Sequence, residues 1–163
     1  MLMELKPLRY EFESGDIKAS LRYDMTAFLR LEERGLSYTD IFKETITGSV
    51  LCDFLRVGGC SDDPEVILHG LGGAALWGHL RNAVQLALPV RDPLIIDVPE
   101  EHFGEPDMKQ LRCLICDIMR KPEEFFWHST MRELFERWQA FAVVKGYMKK
   151  PERMELYDTE GME

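Results

Sequence analysis

Apolar and polar residues alternate from Leu8 onward: Leu8, Tyr10 and Phe12 fall on one face, and Ile17, Ala19 and Leu21 alternate with Lys18, Ser20 and Arg22. Ser14-Gly15-Asp16 supplies turn chemistry between the two runs, so the pattern predicts a β-hairpin. At Asp24 the period lengthens to roughly 3.6 residues, with Met25, Phe28, Leu29 and Glu32 at helical spacing. Asp24 is placed to cap that helix and Gly35 to stop it. Ser37 and Asp40 form a capping-box pattern that restarts a helix, and Ile46, Val50, Leu51, Phe54, Leu55 and Val57 extend an apolar stripe. A continuous helix is therefore expected over 41–57, ending at Gly58-Gly59.

Downstream, Ser61-Asp62-Asp63-Pro64-Glu65 reads as an acidic N-cap, a proline at the first helical position and a carboxylate at the positive end of the dipole. Glycines at 70, 72, 73 and 78 weaken the helix that follows, so a break is expected near Gly72, with helix again from Ala74 to Leu88. Pro89, Pro93 and Pro99 punctuate a linker over 91–106, with a short extended piece at Leu94 to Val98. Met108 to Arg120 reads as a helix ending before Pro122. A short turn from Pro122 to Trp127 precedes a last helix, capped by Ser129 or Thr130 with Glu133 closing a capping box. Its apolar stripe is Met131, Leu134, Phe135, Trp138, Phe141 and Ala142. A lone hairpin is barely stable in water, so its apolar face must lie on helices. The expected fold is α+β and mainly α: an N-terminal β-hairpin packed on a helical core over 1–90, the linker, a C-terminal helical unit over 107–150, and a disordered acidic tail over 151–163.

The chain has 163 residues, a length that supports one domain with a real core. A net charge of −9 argues against sequence-independent nucleic-acid binding and against docking on an anionic membrane. The first residues lack the apolar core of a signal peptide, so the cytoplasm is the expected location. In that reducing compartment Cys52, Cys60, Cys113 and Cys116 are expected as free thiols. Cys113 and Cys116 have Cys-x-x-Cys spacing, but Cys52 and Cys60 do not form a second knuckle; a zinc-bearing adaptor is the reading this leaves open. His69, His79, His102 and His128 are scattered, and neighbouring carboxylate pairs such as Glu32-Glu33 point apart by about 100° on a helix. Neither set assembles a nucleophile, a base or a metal, so no enzyme, cofactor or metal is expected.

Two enzyme motifs can be read into Val66 to Leu80. His69-Gly70-Leu71-Gly72-Gly73 resembles an α/β-hydrolase oxyanion segment, but no serine has the flanking glycines of a nucleophile elbow. Gly70, Gly72 and Ala75 fit a dinucleotide fingerprint, with Asp97 as the ribose acid. That alternative, a nucleotide-binding enzyme, requires Val66 to His69 to be a strand, whereas Asp63-Pro64-Glu65 announces a helix.

Several short patterns carry a resemblance to a family. Arg22-Tyr23-Asp24 followed by Leu29, Leu31, Glu32, Glu33 and Gly35 resembles the corner and Leu/Glu-rich helix of the tail assembly chaperones of long-tailed bacteriophages and prophages. Leu76-Trp77 with Leu80-Arg81 resembles a pattern in their last core helix. Pro122, Phe126 and Trp127, then Thr130, Glu133 and Leu134, look like the downstream unit that many phages reach by a translational frameshift. Here that unit lies in frame, a departure from the family pattern. The resemblance implies a chaperone that binds the tape-measure protein, recruits tail-tube subunits and self-associates. Burial of a partner's amphipathic helix would be its mechanism. Met119, Phe125, Phe126, Trp127, Met131 and Phe135 are the candidate partner-binding residues, with ordinary core as their competing role.

Overall fold

A computed structural model describes residues 7–89 and 108–147. Strands β1 (Tyr10–Ser14) and β2 (Ile17–Leu21) pair antiparallel, with Tyr10 opposite Leu21 and Phe12 opposite Ala19. Phe12, Ala19 and Leu21 are buried, so one face of the pleat joins the core and the other stays in water. Among the described residues seven α-helices follow, named in chain order: α1 (Met25–Glu33), α2 (Gly48–Val57), α3 (Pro64–Leu71), α4 (Gly73–Ala87), α5 (Met108–Arg112), α6 (Glu123–Trp127) and α7 (Met131–Val144). Mostly helical, with one two-stranded hairpin at its start, the architecture is the α+β arrangement that the periodicity anticipates.

The hairpin is seated on α4. The Phe12 ring stacks on His79 with centroids 4.3 Å apart, and the Tyr10 hydroxyl lies 3.0 Å from His79 Nδ1. His79 is thus a packed, hydrogen-bonded side chain beneath the hairpin.

Two boundaries differ from expectation, and one more falls where the sequence places it. Residues 41–57 are not one helix. A 3₁₀ turn, Tyr38–Phe42, carries the Ser37/Asp40 capping box, Lys43 is extended, and Thr47 opens α2 by accepting from Val50 N at 3.4 Å. Ile41, Ile46 and Val50 mimic a helical stripe, yet Thr47 is the residue that competes for backbone donors. Second, α3 and α4 are separate helices meeting at Gly72, which sits at φ +82°. That is the break anticipated there, at a backbone conformation open to glycine. Third, the helix expected over 108–120 holds α-geometry only through Arg112. Cys113–Ile118 widens to a π-helix, with Met119 N donating to Leu114 O at 3.0 Å, and Arg120 at φ +55° ends it. The expected linker and acidic tail lie outside the described residues.

One core cluster runs through both described stretches. Leu21, Tyr23, Phe28, Leu31, Ile41, Phe54, Leu55, Ile67, Leu76 and Leu80 join Leu111, Ile115, Phe126, Met131 and Leu134. Tyr23 is a keystone of the first stretch. Its buried hydroxyl donates to Phe54 O at 2.7 Å, and its ring packs so close to Gly58 that a Cβ there would sit 3.0 Å from the ring. Burial, with Cys60 nearby, raises the phenol pKa, so the group stays a donor. Phe54 O also receives Gly58 N at 3.0 Å, so loss of the hydroxyl leaves it one partner. Tyr23→Phe is expected to cost about 1 kcal/mol in urea denaturation, with an unchanged m-value.

Candidate functional site

The two described stretches meet at Arg22-Tyr23-Asp24, where β2 turns into α1. Arg22 lies at the end of the hairpin and reaches α7. Its Nη1 donates to Leu8 O (2.8 Å) and Glu133 Oε1 (3.1 Å), and its Nη2 to His128 O (2.7 Å) and Glu133 Oε2 (2.8 Å). Glu133 also accepts Leu8 N at 3.0 Å and Thr130 N at 2.7 Å, the latter completing the capping box that starts α7. The main chain adds Met25 N to Ser129 O at 3.0 Å, and Thr26 Oγ1 donates to Trp127 O at 3.0 Å. Asp24 turns inward to cap α1 through Ala27 N at 2.8 Å and forms a backbone bridge with Thr130. Arg132 also reaches the first stretch, its Nε donating to Leu88 O at 2.9 Å. Together these bonds form a clasp of residues 22–26 against 127–133.

Beside the clasp opens an apolar cleft of about 640 Å³. From α1 it is lined by Met25, Phe28, Leu29 and Glu32; from α5 and its π-helical continuation by Met108, Lys109, Arg112, Cys113, Cys116 and Asp117; and from the start of the last unit by Glu123, Phe126, Trp127 and Met131. An Arg112–Glu123 ion pair lies among its polar lining. Leu29 is 40% exposed, a large apolar side chain offered to water. The volume is in the range of ligand-binding clefts, and the three methionines give its walls adaptable surface.

Of the candidate binding residues, Phe126, Trp127 and Met131 line this cleft, with Phe126 and Met131 buried at its base. Met119, Phe125 and Phe135 are half-buried against the core cluster and outside the cleft lining. Arg137 lies over the Phe125 ring at 5.0 Å. Trp77 is half-buried; its indole donates to Ile41 O at 2.7 Å and Arg81 lies over its ring. Sequence reasoning did not find the α1 wall of the cleft, or Arg22 as the partner of Glu133, which is 111 residues away along the chain.

The segment carrying the dinucleotide fingerprint is helical from Pro64 to Leu71, and the one sheet among the described residues is the antiparallel hairpin. The strand–turn–helix setting that gives the fingerprint meaning is absent there; Asp97 lies outside the described residues. Burial raises the thiol pKa values of Cys52, Cys60 and Cys116, and a hydrogen bond with Asp117 raises that of Cys113. Each shift favours the neutral thiol over the thiolate. Among the described residues no group of three or more His, Cys, Asp or Glu side chains is placed to hold a metal ion, and no helix is long and apolar enough to cross a membrane. Comparison with family models, curated proteins and solved structures finds no match to this chain.

The electrostatics of the clasp set a pH dependence. Burial pushes the Glu133 carboxyl pKa up, but the Arg22 guanidinium and the Thr130 and Leu8 amides outweigh burial and hold it below the usual carboxylate value. A carboxylate with a depressed folded-state pKa contributes stability above the unfolded value of about 4.5, and that contribution is lost as pH falls through the folded value. Glu133→Gln is therefore expected to melt below wild type at neutral pH, by about 2 kcal/mol of stability. The gap should narrow as pH drops below about 4.5, measured as Tm against pH for both chains.

Proposed function

We propose that the chain is a non-enzymatic phage tail assembly chaperone. In this reading the cleft beside α1 receives an amphipathic helix of the tape-measure protein, and tail-tube subunits are recruited to the complex. The observation that carries the proposal is the open cleft whose methionine, leucine and aromatic side chains are edged by charged ones such as Glu32, Lys109 and Asp117. Such a surface suits reversible burial of a helical stripe. The residues that resemble the family support the reading by where they fall. Arg22, Tyr23 and Asp24 form the corner, Thr130 and Glu133 form the other half of the clasp, and Phe126 and Trp127 line the cleft.

The test is co-expression with a tape-measure protein. The wild-type chain should raise the soluble fraction of that long helical partner and co-purify with it. Leu29→Glu keeps a good helix former in α1 and places a carboxylate in the cleft. It is expected to remain folded and to weaken the complex by about tenfold or more, read by titration calorimetry. A tape-measure protein equally insoluble with and without the wild-type chain would contradict the proposal.

A further inference from the structure

Arg22 and Glu133 are not part of the cleft lining, yet each is tied to residues that are. Met25, in the lining, donates its amide to Ser129 O. Trp127, in the lining, receives Thr26 Oγ1 on its carbonyl. Met131 follows Thr130, whose amide is held by Glu133. Arg22 itself pins His128 O, in the middle of the 127–130 turn. The bonds that join the two described stretches are thus threaded between cleft-lining residues of α1 and cleft-lining residues of α6 and α7.

We propose that the Arg22–Glu133 clasp is the positioning device of the cleft: it fixes the separation between the α1 wall and the wall formed by α6 and the start of α7. Three features support this. The clasp is bidentate, and each terminal guanidinium nitrogen also holds a main-chain carbonyl, so the corner has a defined orientation. Its side chains are largely shielded, at 13% and 20% exposure for Arg22 and Glu133, so water competes weakly for the same bonds. The bonds grouped with it end on the Met25 amide and the Trp127 carbonyl, both of cleft-lining residues. A helix entering the cleft would then meet walls held at a preset spacing, which lowers the ordering cost of binding.

The proposal rests on reading the cleft as the binding groove, but its test needs no partner. Spin labels on Leu29→Cys in α1 and on Glu124→Cys, at an exposed position of α6, report the distance between the two walls by pulsed electron resonance, with Cys52, Cys60, Cys113 and Cys116 replaced by alanine. The otherwise unaltered chain should give one narrow distribution. In Arg22→Met, and more mildly in Glu133→Gln, which keeps an acceptor for the capping box, the distribution should broaden and move to longer distance. Where the cysteine replacements impair folding, hydrogen exchange at the Met25 amide in chains with native cysteines serves instead, and should accelerate in both clasp variants. An unchanged distribution, or unchanged Met25 exchange, in folded Arg22→Met overturns the proposal. A shifted distribution in a chain that ignores the tape-measure protein leaves the positioning role standing and removes only the chaperone reading.

Discussion

One carboxylate organises the meeting of the two described stretches. Glu133 accepts from Leu8 N, Thr130 N and both terminal nitrogens of Arg22, so its two oxygens are fully engaged while the group is largely out of water. A buried carboxylate is tolerated only when its charge and its lone pairs are answered, and here the answering groups come from the chain's entry to β1, the end of β2 and the start of α7. Deleting either ionic partner leaves the other charged and poorly solvated, which makes the pair a specifier of geometry more than a source of net stability.

The corner next to it works in three directions. Arg22 points to α7, Tyr23 into the α2 end of the core, and Asp24 caps α1. Successive residues at the end of a strand face opposite sides, so three consecutive positions can serve three partners without crowding. The cleft lies along the same seam, between α1 and the elements that the clasp brings to it. Polar bonding holds one end of the seam and apolar surface is left open along it, a division suited to a groove that must stay accessible.

Legibility in the sequence followed the range of the interactions. The hairpin, the Asp24, Asp63 and Thr130 caps, the Glu133 capping box and the Gly72 break each depend on residues within a few positions of one another, and they were readable. The stretch from Ile41 to Val50 misled because apolar spacing alone matched a helix, while the local bond from Val50 N to Thr47 stopped it. The π-helical widening at Cys113 left no compositional mark. The candidate binding residues were picked as an aromatic and methionine cluster in sequence, and three of the six reach the cleft. The other wall, Met25, Phe28 and Leu29, reads in sequence as an ordinary amphipathic helix, because periodicity shows which face is apolar and not what that face meets. The Arg22–Glu133 pairing had no local signal at all, since only the folded chain brings the two together.

The central claim is that the hairpin, the helices that follow it and the α5–α7 elements behave as one body joined at the clasp. Urea unfolding monitored separately at Trp77, on α4, and at Trp127, beside the cleft, tests it most directly, using chains in which the other tryptophans are replaced by phenylalanine. The account expects the two probes to report one coincident transition with the same midpoint and slope. Two separated transitions, with Trp127 released while Trp77 remains in its native environment, would contradict it.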